Sequence, residues 1–302
     1  MSTSLLQEYE ASLIGKSQGT IDNYMRAVTK LTDWIATLPG SNGTFQPEMF
    51  TRTAMQTYID QLDRDGYSPS HRNIVKAAAS SFAEWLIEDK ELLVRNPTRR
   101  IQIEAKPMMA PRVLTFDQRY VLKNLVERAD DLRGAALFAL GYWAGCRVSD
   151  VSHLKMVNLH LKPRSGWIRV GHKGNKMREI DLAKPVRDAL SDYLEAELRM
   201  SDSKYVFTSQ RSERLSEAGV HHWFRSLKAD AKKAEWDLIE DVSYHDLRHD
   251  FAHRAREAGW TLEEIAFYLG HTTKRGTPAI QTTIRYTQAS CEQIKAKIHE
   301  LN

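Results

Sequence analysis

GYWAGCRVSD (residues 141–150) and SYHDLRHD (residues 243–250) are the two segments on which the reading of this chain turns. In the first, an apolar run stops at Gly145, and Arg147 and Asp150 frame the start of a second helix. A guanidinium beside helix N-terminal amides makes a good anion site, with Asp150 close enough to orient or neutralise it. In the second, His245 and Arg248 lie three apart just after Ser243, so they share one face in the first turn of a helix. Leu269-Gly270-His271 and Arg285-Tyr286-Thr287 follow. Two arginines can clamp the charge of a phosphate, histidines can handle protons, and a tyrosine can attack phosphorus. Taken singly, each residue also has an ordinary reading. Arg147 fits a surface salt bridge, His245 and Arg248 a solvated helix face, His271 a cationic helix C-cap, and Tyr286 a half-buried tyrosine.

Between the two segments, Trp167 to Val170 and Met177 to Leu182 alternate as short strands. They flank His172-Lys173-Gly174-Asn175-Lys176, which reads as a hairpin tip because Gly and Asn tolerate positive φ. Thr115 to Gln118 has the form of a capping box ahead of Leu122, Leu125 and Val126. Ala135 to Trp143 reads as a buried helix, and Pro185 opens an amphipathic one carrying Val186, Leu190, Tyr193 and Leu194. Ser243, Thr261 (with Glu264) and Ser290 (with Gln293) mark further helix starts.

The first hundred residues read as an all-helical unit. One apolar stripe is Ile21, Tyr24, Met25, Val28, Leu31 and Trp34, and a second is Met55, Tyr58, Ile59 and Leu62. A third, opened by Ser68-Pro69, carries Ile74, Ala78, Phe82, Trp85 and Leu86. Nothing in it offers chemistry. The expected organisation is a helical unit over 1–101, a Pro-containing linker over 102–113, and a mixed unit over 114–302 ending in a tail helix, 290–302. The fold class is mainly α with a small β-sheet.

Composition is that of an ordinary soluble globular chain: 302 residues, 42% hydrophobic and 27% charged. Residues 1–101 hold 11 Lys/Arg against 12 Asp/Glu, a net of −1, so the remainder carries +5 of a whole-chain net charge of +4. A phosphate-facing field is therefore expected there. Two cysteines, Cys146 and Cys291, make no disulfide framework. With no signal pattern and no membrane-length apolar segment, a cytoplasmic protein is expected, with no membrane partner.

One rival chemistry lies on the helix after Ser243. His245, His249 and His253 are four apart, and His249 to His253 faintly resembles the zinc-binding helix of metalloproteases. That motif needs glutamate where this chain has Asp250, and it needs a third ligand.

The ordered set is similar to that of the tyrosine recombinase (phage integrase) family. That family has a Gly-x-Arg segment, a hairpin lysine, a His-x-x-Arg helix, a Leu-Gly-His turn and a terminal tyrosine. Here these correspond to Gly145-Cys146-Arg147, Lys173, His245 to Arg248, Leu269 to His271, and Tyr286-Thr287. The resemblance implies an N-terminal core-binding domain that clamps DNA with an α+β catalytic domain. It implies a site-specific recombinase cutting and rejoining double-stranded DNA through a 3′-phosphotyrosyl bond, without metal or other cofactor.

The roles it implies are Tyr286 as nucleophile, Arg147 and Arg248 on the non-bridging oxygens, and Lys173 as the acid for the leaving 5′-oxygen. His245 would assist proton transfer at the tyrosine, His271 would bond the phosphate, and Asp150 would support Arg147. A homo-tetramer on paired sites, in a prokaryotic cytoplasm or nucleoid, is the expected assembly. Integration, excision, transposition and resolution all remain open as the biological role. Two departures stand out: Asp150 replaces the family's usual glutamate, and the His271–Tyr286 stretch is longer than usual. A type IB topoisomerase and a catalytically dead architectural DNA-binding protein are the alternatives.

Overall fold

The computed structural model describes residues 2–104, 113–171, 177–271, 277 and 279–284. The chain divides into two compact units, Met1–Met108 and Met109–Asn302.

The first unit is four helices: α1 (Ser2–Ser12), α2 (Gln18–Ala36), α3 (Arg52–Arg64) and α4 (Pro69–Glu88). α3 starts where the Thr51 side chain accepts from the Ala54 amide, and α4 where Ser68 caps the His71 amide ahead of Pro69. Their apolar stripes close one core around Val28, Leu31, Ile35, Met55, Ile59 and Phe82, all nearly inaccessible to solvent. α1 contributes Tyr9, packed edge-on to Phe82 at 5.0 Å between ring centroids. Ile74 is a correction. It is exposed, and Val75 takes the core position, one helical step further round α4. The unit also runs a little past residue 101. Ile103 packs on this core, and Gln56 exchanges hydrogen bonds with both backbone groups of Gln102.

The second unit starts with α5 (Phe116–Ala129), closed by the reciprocal Thr115–Gln118 capping box. α6 (Leu132–Tyr142) is apolar on nearly every side and buried accordingly. A short helix, α7 (Val148–Ser152), follows. Then comes an antiparallel sheet, β1 (Leu159–Leu161), β2 (Gly166–Val170) and β3 (Arg178–Asp181), in that spatial order. Ile168 opposite Ile180 puts both on the core face, while Arg169 opposite Glu179 faces out. β1 was not foreseen, because three residues are too few to establish an alternation. α8 (Lys184–Glu195), α9 (Glu217–Ala229), α10 (Lys233–Ile239), α11 (Tyr244–Glu257), α12 (Leu262–Leu269) and α13 (Ile280–Ile284) complete the unit. Mainly helical with one small sheet, the fold is of the class the sequence indicates.

Two contacts fix α11, the helix that carries His245 and Arg248. The Tyr244 hydroxyl donates to the Leu137 carbonyl of α6 at 2.6 Å. The two helices approach closely at Gly141, where an added Cβ would lie 2.9 Å from the Tyr244 ring. Just upstream, buried Lys228 donates to the carbonyls of Ile239, Glu240 and Val242, holding the turn that leads into α11.

Candidate active site

The turn 269–271 gathers the pieces. Arg248 is fully buried; its Nη1 donates to the Gly145 carbonyl at 2.5 Å, and its Nη2 to the Leu269 carbonyl at 2.7 Å. The same Nη2 lies 2.9 Å from His271 Nε2. Arg147, at the N-cap of α7, reaches the Gly270 carbonyl with its Nη2 at 3.4 Å. The two arginines therefore flank one turn, and Arg248 also holds the backbone two residues before Arg147. Gly145 permits this approach. It has φ +58, and a Cβ there would strike the Phe251 ring at 2.7 Å.

His271 is nearly inaccessible, and its ring is committed at both ends. Arginine only donates, so Nε2 must accept from Arg248 and Nδ1 must carry the proton, 3.0 Å from the buried Thr283 hydroxyl. Burial, then Arg248 and Arg147, push its pKa down to about 3. This overturns the cationic C-cap reading: Gly270, in the left-handed region at φ +66, terminates α12, and His271 is neutral. Thr283, three residues before Tyr286, places the neutral ring between Arg248 and the segment leading to the tyrosine.

Asp150 meets Arg147 through the backbone. Its Oδ2 accepts from the Arg147 backbone amide at 3.0 Å, so it caps α7, but its ion pair, at 2.8 Å, is with Arg178 of β3. Arg178 and Arg147 hold its carboxyl below the ordinary range against the opposing effect of burial, which is the largest single influence. Arg178 was missed in the sequence. The signal was strand parity: it shares the inward register with Ile180, where a cation needs a partner.

His245 stands on the solvent side of the first turn of α11, edge-on to His249 with ring centroids 4.6 Å apart. Partial desolvation and then Arg248 lower its pKa. Burial and then His245 push His249 down to about 4. Both imidazoles are neutral at pH 7, so His245 can accept a proton.

Residues 112–293 match the family model described as the phage integrase family. The chain belongs to the phage integrase family. It is 26% identical over 283 residues to tyrosine recombinase XerC of Neisseria gonorrhoeae, covering 93% of this chain and 88% of the relative. It is 28% identical over 309 residues to tyrosine recombinase XerA of Pyrococcus furiosus, covering 99% and 94%. Among solved structures, XerH recombinase bound to a palindromic difH substrate, in a post-cleavage complex, superposes with TM-score 0.71 at 17% identity, over 99% of this chain and 84% of that one. Lambda integrase (residues 75–356) bound to DNA gives 0.66 at 16%, over 96% and 98%. At those identities the two structures speak for the fold.

Membership makes this protein a site-specific DNA recombinase, a strand transferase of the tyrosine type. Lys173, Tyr286, the 272–276 stretch and the 290–302 tail lie outside the described residues. Two other tyrosines can be judged. Tyr244 is buried with its hydroxyl spent on Leu137, and burial pushes its phenol well up. Tyr268 stacks on Phe251 at 5.1 Å, and burial raises its pKa too. Neither is poised as a nucleophile.

The zinc-helix rival loses its base. Asp250 is fully buried between Arg119 and Arg254, at 2.8 Å from each. Among the described residues, no helix is long and apolar enough to cross a membrane.

Proposed function

We propose that this recombinase cuts and rejoins duplex DNA at specific sites, with Tyr286 as nucleophile and Arg147 and Arg248 as the phosphate clamp. The observation that carries this reading is the meeting of both arginines at the 269–271 turn. A phosphodiester gains a second negative charge as the attacking oxygen bonds, and two fixed guanidiniums match it where it develops. Arg248 is held in place by two carbonyls and an imidazole.

In the proposed step the Tyr286 oxygen bonds to phosphorus, the bond to the 5′-oxygen breaks, and a 3′-phosphotyrosyl link conserves the bond energy for rejoining. The phenol proton passes to neutral His245, and the departing 5′-oxygen takes a proton from the Lys173 ammonium. His271 serves by holding Arg248 and Thr283 together. The same residues run the reverse step on the incoming strand.

The test is Tyr286→Phe on a nicked duplex whose cleavage is irreversible, read on a denaturing gel. The expected result is no covalent adduct, with single-site binding retained. An adduct in the mutant removes Tyr286 from the role. Relaxation of supercoiled plasmid by the wild type without paired sites would favour a topoisomerase instead.

The partner is double-stranded DNA with paired recombination sites, engaged by a homo-tetramer, and the setting is the cytoplasm. The tail supports the assembly: Ile294, Ile298 and Leu301 make one apolar stripe, too short to be stable alone. Deleting residues 291–302 is expected to spare binding to a single site and impair paired-site assembly. Full-rate recombination by the truncated chain would remove the tail from that role.

A further inference from the structure

Arg178 joins two of the described segments on which the proposed chemistry depends, the start of α7 and the end of α12. Its Nη2 pairs with Asp150 at 2.8 Å, and Asp150 in turn holds the Arg147 amide at 3.0 Å. Its Nε donates to the Tyr268 carbonyl at 2.9 Å, at the end of α12 just before the 269–271 turn. Its side chain also lies along Gly270 so closely that a Cβ there would meet Arg178 Cδ at 2.8 Å. The pair is well sheltered, with 11% of the Arg178 side chain and 3% of the Asp150 side chain accessible. Within the sheet, Arg178 sits opposite Val170, the last described rung before residues 172–176, which include Lys173.

One planar guanidinium thus binds in two directions from the root of the hairpin, towards the Arg147 segment and towards the His271 turn. A lysine has the charge but not the fork, so it cannot hold both partners in fixed directions. No step of the proposed chemistry uses Arg178 directly. Its inward register on β3 directs it at the segment that carries Arg147 and at the turn whose Leu269 carbonyl Arg248 holds.

We infer that Arg178 is a positioning residue for strand cleavage. It fixes the register of the lysine-bearing hairpin on the arginine clamp, so that the leaving 5′-oxygen meets its proton donor. This inference rests on the proposed assignment of Lys173 as that donor. Losing about an ångström of alignment between reacting groups costs on the order of a hundredfold in rate, which sets the scale of the expected defect.

The experiment compares single-turnover cleavage by the wild type, Arg178→Ala, Arg178→Lys and Lys173→Ala. Two nicked duplexes are used, one with the natural 5′-oxygen and one with sulfur at that position. Sulfur leaves without a proton, so a fault in delivering the proton disappears on it. The expected result for Arg178→Ala is about a hundredfold slower cleavage of the oxygen substrate, a defect of only a few-fold on the sulfur substrate, and unchanged single-site binding. Arg178→Lys is expected to fall between, with the same recovery on sulfur. It carries the comparison if the alanine variant does not fold by circular dichroism.

An equal defect on both substrates in Arg178→Ala and Arg178→Lys, with Lys173→Ala recovering on sulfur, overturns the inference and leaves Lys173 in place. Wild-type rates in both Arg178 variants overturn it as well. Failure of Lys173→Ala itself to recover on sulfur shows that the proton-donor assignment is at fault, and the positioning role falls with it.

Discussion

His271 Nδ1 lies 3.0 Å from the Thr283 hydroxyl, while the opposite ring nitrogen faces Arg248 at 2.9 Å. The imidazole is a spacer of fixed length between Arg248, a cation of the proposed phosphate clamp, and the segment that leads to Tyr286. The backbone reinforces it, since the Ala279 amide donates to the His271 carbonyl at 2.6 Å. Removing the hydroxyl isolates this link: Thr283→Val is expected to slow DNA cleavage by roughly tenfold, the scale of one hydrogen bond, without changing single-site affinity. Thr283→Ser should restore it. Gel-based cleavage rates decide, and a valine variant as fast as the wild type would show that the link has no part in catalysis.

The same burial makes stability depend on acidity. His271 has its pKa pushed down to about 3 and His249 to about 4, against 6.5 for the free side chain. Below 6.5 the unfolded chain takes up protons that the folded one refuses. Stability is therefore full above 6.5 and declines as the pH drops from there towards 3. Melting temperatures measured from about pH 7 down to 4.5 should fall steadily, and His271→Gln should flatten part of that slope. An unchanged slope in the variant would mean that His271 becomes protonated in the folded protein.

Asp250 is shielded from solvent and shared by Arg119 and Arg254. Asp250→Asn leaves two guanidiniums facing each other across a neutral amide. The expected loss is about 3 kcal/mol in urea unfolding, with the cleavage rate of the folded protein unchanged. A variant as stable as the wild type but inactive would reverse this, making Asp250 part of the chemistry.

Gly141→Ala forces a methyl into the Tyr244 ring, with Leu247 also only 3.1 Å from the new Cβ. Crowding of this kind costs about 1–3 kcal/mol, here expected as a lower melting temperature. Cleavage should suffer more than DNA binding does, because α11 must shift to make room. Equal losses in both would indicate general loosening of the unit.

Much of this was legible beforehand. Apolar periodicity found the helices, capping residues found their starts, and the ordered motifs found the Arg147, Arg248 and His271 neighbourhood. What escaped was decided by tertiary contact. Ile74 and Val75 are equally apolar, and only packing of α4 against its neighbours chooses between them. Asp150 is three residues from Arg147, yet an arginine from a strand 28 residues away takes its charge. Spacing placed His271 correctly but could not give its charge, because that depends on how many cations the fold crowds around a buried ring. β1 is too short to announce itself in any local pattern.

The close approach at Gly141 bears on how such a protein can change over generations. α6 leads through Gly145 to Arg147, and α11 carries Arg248, so the gap between these helices sets the spacing of two positive charges. That gap stays narrow because Gly141 carries only a hydrogen atom. Selection on the reaction therefore acts at a position with no functional group of its own, and variants screened for lost recombination should return changes at 141 alongside those in the charged residues. An inventory of chemically able side chains would pass over it.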